Sequence, residues 1–312
     1  MQPEVQIEAV GDAERSEALR FLVGGQRRDV SVAVRAEAFE RMIERCGGKF
    51  WLRRARRGAR HVAAALAVAS PGRVGMVFYS PLAGPGTEPQ CVAPLVREAS
   101  RSALNSGLAF VQSLVVPGRD GATAMLASAG FERLAELIYM RMAISSARAE
   151  GGGRRYTWRS YRKFRQAELE SVILGTYEDS LDCPRLCGLR SLSDVIAGHK
   201  ASGVFSPRSW WIVEHAGRPA GCILVNGSTA DAQTMEVAYM GVVRAFRGRG
   251  VGRTMLRRAA RWARRRRRRV LTVAVDSENV YAKRVYVQEG FLETDRRVAW
   301  ILAAGRRGAA PA

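Results

Sequence analysis

The feature that most constrains the fold of this chain is an internal repeat with an offset of 160 residues. The triplet Ala-Gly-Phe at 129–131 returns as Glu-Gly-Phe at 289–291, and the strand candidate 110–116 returns at 270–276. Strands, helices and glycine-rich turns are predicted in the same order in both halves, as expected for tandem copies of one unit. We therefore predict two copies of one mixed α/β unit, of the α+β type.

The copies are predicted to occupy residues 1–145 and 156–312, joined by a linker at 146–155 that contains three successive glycines. A length of 312 residues agrees with two domains of ordinary size. The first copy has strand candidates at 5–10, 61–70, 74–80, 110–116 and 137–142, and helix candidates at 12–23, 34–45, 90–106 and just before Gly130. The second copy has strand candidates at 156–162, 210–214, 220–226, 234–243, 270–276 and 297–302, with helical segments at 164–203, from the glycine-rich loop to about 267, and just before Gly290.

The charge of the chain is strongly positive and unevenly distributed. Of the formal net charge of +21, residues 151–312 carry +16, because they contain 30 basic against 14 acidic residues. Such a field favours anionic partners. Six consecutive arginines, 264–269, could form a nucleic-acid or acidic-surface patch, or a solvated helix end that precedes the strand at Val270. We favour the helix end, because only Trp262 lies near the run, and we do not expect nucleic acid as a partner.

Cysteines and apolar runs indicate the compartment. Five cysteines are few and odd in number, which fits a reducing environment. Cys183 and Cys187 have too few neighbouring ligands in the sequence for zinc, so we predict no metal site. The N-terminus does not resemble a signal peptide, and no run approaches the roughly 20 apolar residues of a membrane span. We expect a cytoplasmic protein that makes no membrane contact.

A glycine-rich loop lies between a strand and a helix in the second copy. It reads Arg247-Gly248-Arg249-Gly250-Val251-Gly252, follows the apolar segment 235–243, and precedes an apolar helical stripe. Free backbone N–H groups and the positive end of the helix dipole make such a position an anion site, and glycines allow close approach. A dinucleotide fingerprint would need a third glycine at position 253, which is Arg253, and a phosphate-binding loop of the Walker type would need Gly-Lys-Ser/Thr.

The loop has the form R-x-x-G-x-G, which resembles the acetyl-CoA signature of the GNAT superfamily of N-acetyltransferases. The helix that follows, with Asn279, Ala282, Tyr286 and Gly290-Phe291, resembles the next family motif. The resemblance implies two tandem GNAT-like domains, each a mixed, mostly antiparallel sheet flanked by helices, and a monomer with an internal pseudo-dimer. It also implies splayed fourth and fifth strands in the C-terminal copy.

Binding roles follow from the same resemblance. Acetyl-CoA would be held by the loop, by Arg253, by the backbone of Met240, Gly241 and Val242 in the splay, and by Asn279. The implied reaction is N-acetyl transfer to a primary amine by direct attack in a ternary complex.

Two side chains are candidates for proton transfer. An alkyl ammonium has a pKa near 10.4, so a base must remove a proton before attack. Glu236, on the strand that leads into the loop, resembles the base of histone-type relatives, although it could be a solvent-facing strand residue. Tyr286 matches a tyrosine that family members use to protonate the departing thiolate, although it could pack in the core. The Met240 N–H would stabilise the oxyanion.

The first copy lacks these parts. The 160-residue offset places Arg119 at the position of Asn279, Leu126 at that of Tyr286 and Thr87 at that of Arg247, in a loop with two prolines and Glu88. We predict that this copy is degenerate and does not bind acetyl-CoA. The alternative function for the whole chain is an inactive acyl-CoA sensor or a basic binding module. The acceptor is not defined by the sequence, although Glu178, Asp179 and Asp182 could meet a cationic amine.

Overall fold

A computed structural model describes residues 4–45, 47, 49–147 and 156–305 of the protein. The chain divides into two compact units. One contains the chain up to Leu134 together with the residues from Val298 onward, and the other contains Ala135–Arg297. The predicted linker lies outside the described residues from position 148 to position 155.

The first unit is built on a six-stranded mixed sheet. Its elements are β1 (Val5–Ala9), α1 (Arg15–Gly24), α2 (Val30–Arg45), β2 (Phe50–Arg57), β3 (Arg60–Ser70), β4 (Val74–Tyr79), α3 (Pro89–Asn105), β5 (Phe110–Val115), α4 (Asp120–Ser128), the start of β6 (Glu132–Ala143) and the end of β12 (Leu292–Ala303). The strand order is β1-β2-β3-β4-β5-β12, and all neighbours are antiparallel except β4 and β5.

The second unit repeats this plan. It contains most of β6, β7 (Thr157–Ser160), α5 (Gln166–Tyr177), α6 (Leu192–Ala201), β8 (Trp210–His215), β9 (Arg218–Gly227), β10 (Thr234–Val242), α7 (Val251–Arg265), β11 (Val270–Asp276), α8 (Val280–Gln288) and the start of β12. The strand order is β7-β8-β9-β10-β11-β6, and only β10 and β11 are parallel. The predicted mixed α/β architecture, with a mostly antiparallel sheet and flanking helices, is confirmed.

Both faces of the second sheet are covered by helices. The stripe predicted on α7 is buried on one face, where Val251, Met255 and Ala259 are at most 1% exposed and pack with residues of β10 and β11. On the other face, α5 and α6 pack on β8 and β9. Apolar residues that recur every four positions therefore form the buried side of α7. This packing holds the N-terminus of α7 near the end of β10.

Each unit takes its sixth strand from the other half of the repeat. β6 pairs with β11 from Val270–Ala143 to Asp276–Leu137, and β12 pairs with β5 from Val298–Val115 to Ala303–Phe110. The compact units therefore differ from the predicted segments 1–145 and 156–312, because the closing strand of each copy joins the sheet of the other.

The repeat offset is visible in the elements themselves. α4 and α8 occupy 120–128 and 280–288, and β6 and β12 occupy 132–143 and 292–303. Both pairs are separated by the 160 residues that the Gly-Phe triplets indicated.

Strand β2 was missing from the sequence prediction. Four of its eight residues are arginines, which hides the alternation of a half-buried strand. Arg54 is only 3% exposed, and its guanidinium donates to the carboxylates of Glu8 and Glu14, each at 2.6 Å. An ion-paired arginine therefore occupies a buried strand position where the hydropathy pattern of a strand would require an apolar residue.

Candidate functional site

Strands β10 and β11 diverge in the middle of the second sheet. Their parallel ladder runs from Thr234–Val270 to Val237–Val273, and β10 then continues to Val242 with its partners on β9 alone. The register with β9 shifts between Val237 and Tyr239, which marks a bulge at the point of divergence. The predicted splay of the fourth and fifth strands is present and opens a gap in the sheet.

The backbone alternation of β10 determines which groups face this gap. The Val243 N–H donates to the Ala220 carbonyl of β9, at 3.0 Å. In an antiparallel ladder the hydrogen-bonded residues alternate, so Gly241 faces β9 while Met240 and Val242 direct their N–H and C=O groups away from it. Of the three backbone positions predicted to line the gap, Met240 and Val242 therefore do so.

The glycine-rich loop joins β10 to α7. Gly248 and Gly250 have φ values of +74° and +81°, a conformation that favours glycine, and Gly250 is the N-cap of α7. The first N–H groups of a helix have no partner within it. The loop therefore presents N–H groups and the positive end of the α7 dipole beside the gap, which together form an anion site.

Gly252 has no conformational or steric reason to be glycine. It lies in the first turn of α7, and a Cβ there would meet only Met240 Cε and Val285 Cγ1, both at the ordinary distance of 3.9 Å. Glycine is less favourable than alanine in a helix by up to about 1 kcal/mol. The space over Gly252 is left open by the fold itself. By contrast, a Cβ on Gly241 would lie 2.6 Å from Thr176 Cβ, so close packing of α5 explains that glycine.

The side chain of Arg247 is directed to the end of α5. Its guanidinium donates to the carbonyls of Thr176 at 3.0 Å, Asp179 at 3.1 Å and Val242 at 3.2 Å. Its N–H donates to the Arg244 carbonyl at 3.1 Å. The structure thus gives Arg247 an anchoring role that the loop motif did not indicate.

The two other arginines of the loop region remain exposed. The Arg249 guanidinium lies 5.7 Å from the Phe246 ring centroid, and the Arg253 guanidinium donates to the Gln288 side chain. Both carry positive charge at the N-terminus of α7.

Glu236 lies on the α5/α6 face of the sheet, just before the bulge. Its neighbours in register are Asn226 on β9 and Thr272 on β11. Burial raises the pKa of the Glu236 carboxyl. Burial also raises the pKa of Tyr139 on β6, and the charge of Glu236 adds to that increase. A carboxyl pKa that moves toward neutrality is the direction a general base requires.

Tyr286 is buried in the core between α8 and the sheet. It is 4% exposed, and its ring lies 5.6 Å from that of Phe291. Burial, together with the charge of Asp182, raises the pKa of its phenol. The hydroxyl therefore stays protonated at neutral pH, which suits a proton donor.

Asn279 caps α8 beside the gap. Its side-chain oxygen accepts from the Ala282 N–H at 3.1 Å. Next to it, Asp182 and Asp276 tie the loop after α5 to the end of β11. Asp182 Oδ1 accepts from the Asp276 N–H at 3.2 Å, and Asp276 Oδ2 accepts from the Cys183 N–H at 3.1 Å. The sequence did not predict this reciprocal pair of hydrogen bonds, because it suggested Asp182 only as a possible contact of the amine substrate.

The second unit matches a known family. Residues 175–291 match the model of the acetyltransferase (GNAT) family, and they include the gap, the loop and α8. The chain carries a GNAT-family acetyltransferase domain. GNAT domains are acyltransferases that take the acyl group from an acyl-CoA, and the loop and the gap lie within the matched residues.

Solved structures with the same fold include tandem GNAT proteins. A GCN5-related N-acetyltransferase from Sphaerobacter thermophilus is 18% identical, with 97% of both chains covered and a TM-score of 0.61. A tandem GNAT protein from the clavulanic acid biosynthesis pathway is 15% identical, covers 98% of this chain and 100% of its own, and has a TM-score of 0.55. At these identities the likeness shows the fold. No match was found among curated proteins.

The described residues contain neither a candidate metal site nor a helix that could span a membrane. Within them, no group of three or more His, Cys, Asp or Glu side chains could hold a metal ion. In the same part of the chain, no helix combines the length and the apolar character needed to cross a membrane.

Proposed function

We propose that the GNAT domain transfers an acetyl group from acetyl-CoA to a primary amine by direct attack in a ternary complex. The observation that carries this proposal is the open space over Gly252 in the first turn of α7. The N-terminus of this helix lies beside the gap in the sheet and carries exposed arginines. We assign the pyrophosphate to the N–H groups of Gly248 through Gly252 with the charges of Arg249 and Arg253. We assign the pantetheine arm to the gap-facing backbone of Met240 and Val242.

The cosubstrate supplies an activated thioester carbonyl, and the protein manages two protons. In the proposed mechanism the Glu236 carboxylate accepts a proton from the acceptor ammonium, directly or through water. The amine nitrogen bonds to the acetyl carbon, and the bond between that carbon and sulfur breaks. The Met240 N–H donates to the carbonyl oxygen as negative charge develops on it. Tyr286 donates its proton to the sulfur, and the second proton that the nitrogen loses as the amide forms restores the phenol through water.

We propose further that the first unit does not bind acyl-CoA. The corresponding loop precedes α3, which begins with Pro89, a residue without an N–H. A Cβ on Gly86 would overlap the Gln26 side chain at 2.3 Å, so that side chain packs directly against the loop. Glu88, the N-cap, is held by Arg57 at 2.6 Å and places a carboxylate where an anion would lie.

Release of free CoA thiol in the presence of a panel of amines tests the activity. The panel includes peptide N-termini, lysine peptides, polyamines and aminosugars. We expect amine-dependent release from acetyl-CoA with one equivalent of acetyl-CoA bound per chain by calorimetry. Two equivalents would contradict the proposed asymmetry. Binding with no turnover on any amine would favour a sensor role instead.

A further inference from the structure

An aromatic, basic cavity of about 290 Å³ lies in the GNAT domain on the side of α7 that faces β7 and β8. Its lining consists of Trp158, Ser160, Arg162, Lys163, Arg208, Trp211, Arg258 and Trp262. None of these residues belongs to the loop at 247–252 or to the gap between β10 and β11.

The aromatic part of the cavity is a platform of three tryptophans, against which two arginines, Arg258 and Arg266, are placed. Trp211 is 3% exposed and forms the floor, and its ring meets that of Trp262 edge to face, with centroids 5.5 Å apart. The Arg258 guanidinium lies 5.2 Å from the Trp158 centroid and 5.7 Å from that of Trp211. The Arg266 guanidinium lies 4.5 Å from the Trp262 centroid. Trp158 and Trp262 are only partly buried, so each ring keeps accessible apolar surface beside the arginine that contacts it.

The charge of the lining is unbalanced. It contains four cations and no carboxylate. Arg159, next to Trp158 in the sequence, differs from the cations of the lining because it forms ion pairs with both Glu168 and Glu214, each at 2.8 Å. Arg162, Lys163 and Arg208 are exposed and make no ion pair within the described residues. Three such cations around tryptophans create a local positive potential that an anion would neutralise.

We propose that this cavity binds a nucleotide unit, with the base against Trp158 and Trp262 and the phosphate against Arg162, Lys163 and Arg208. Every base offers a flat face for stacking, and arginine and lysine complement phosphate. The volume of the cavity is near the lower end of ligand pockets, which suits one nucleotide rather than a duplex. This site is separate from the proposed acetyl-CoA site.

The same chemistry is present in a free mononucleotide and in single-stranded nucleic acid, and titrations distinguish the two sources. The probes are AMP, UMP, a fluorescein-labelled ten-residue oligo-dT and inorganic polyphosphate, added to the full chain saturated with acetyl-CoA. Saturation by a mononucleotide assigns a free nucleotide, and binding of oligo-dT alone assigns a single strand. We expect AMP, UMP or oligo-dT to quench tryptophan fluorescence. We expect no quenching by polyphosphate, because it has no base that could stack on a tryptophan.

Variants test the two halves of the proposed site. Trp158→Leu should weaken nucleotide binding by roughly 5- to 100-fold, the range found for loss of base stacking. The triple variant of Arg162, Lys163 and Arg208 to Gln changes only exposed side chains. It should lower the salt slope of single-strand binding by about 2, at roughly 0.7 per phosphate contact. Its matched control changes three exposed arginines of the first unit, Arg20, Arg27 and Arg101, to Gln and should bind as the wild type.

Three results would overturn the proposal. One is equal binding of nucleotide by the triple variant and by its matched control, because total charge alone would then account for affinity. Another is nucleotide binding that is seen without acetyl-CoA and is lost at acetyl-CoA saturation, which would make the cavity part of the cosubstrate site. The last is absence of binding by every nucleotide probe while the wild-type protein still binds acetyl-CoA.

Discussion

The guanidinium of Arg247 donates to the carbonyl oxygen of Thr176, at 3.0 Å, and so fixes the glycine-rich loop to the last turn of α5. A cation suits the carbonyl-rich end of a helix. The most recognisable arginine of the loop therefore contributes to the site through the fold, while its neighbours Arg249 and Arg253 provide charge.

Replacing Arg247 by Lys should lower the stability of the domain, because an ammonium with three N–H donors cannot bond the four carbonyls that the planar guanidinium reaches. We expect a loss of about 1–2 kcal/mol, measured by denaturant unfolding. Arg249→Gln is the matched comparison and should leave unfolding unchanged while weakening acetyl-CoA binding in a salt-dependent manner. Equal behaviour of the two variants would contradict this division of roles.

Gly252→Ala should reduce acetyl-CoA affinity without harming the fold. The new methyl group would occupy the space over the first turn of α7 and make only ordinary contacts with the protein. We expect roughly tenfold weaker binding by calorimetry, which corresponds to about 1.4 kcal/mol, and an equal or higher melting temperature.

The control for that substitution is Gly121→Ala, at the same second position of α4, where a Cβ would meet Leu82 Cδ1 at 3.7 Å. It should leave affinity unchanged. Unaltered affinity in Gly252→Ala itself would exclude the space over this residue as part of the cosubstrate site.

Tyr286→Phe should lower turnover by roughly 100-fold and leave acetyl-CoA affinity nearly intact, because the ring still packs on Phe291 while the proton donor is lost. Turnover is followed by thiol release and affinity by calorimetry. Tyr281→Phe on the same helix is the control, since Tyr281 is 70% exposed. Collapse of affinity in Tyr286→Phe would make the residue structural rather than catalytic.

Glu236→Gln should abolish the acid limb of the pH–rate profile. The base acts when ionised, so activity rises with pH through the raised pKa of Glu236, above the usual range of a carboxyl. A raised carboxyl pKa in the folded state also costs stability as pH increases above the unfolded value near 4.3. The Gln variant should thus be slower but no less stable at pH 7, and Glu236→Asp should retain the limb. An unchanged profile in the Gln variant would exclude Glu236 as the base.

Local patterns in the sequence predicted the elements that carry the site. The stripe from Val251 to Ala263 placed α7, and the positive-φ glycines marked the turn before it. The direction of the Arg247 side chain was not predictable, since three of its carbonyl partners lie some 70 residues earlier, in the last turn of α5 and just after it. The basic cavity was also hidden, because its tryptophans come from β7, β8 and α7 and meet only in the folded domain. The expectation from the sequence that nucleic acid is not a partner stays a prediction, which the titrations of this cavity would test.

The exchange of β6 and β12 has a consequence for how such a chain can evolve and be engineered. Strand β6, which pairs with β11 over seven register positions, is encoded in the half of the gene that lacks the loop and the tyrosine. Deleting that half would expose the backbone of β11 as an open edge, the kind that recruits other chains. A GNAT domain obtained by cutting at the repeat boundary would therefore lack one strand of its sheet.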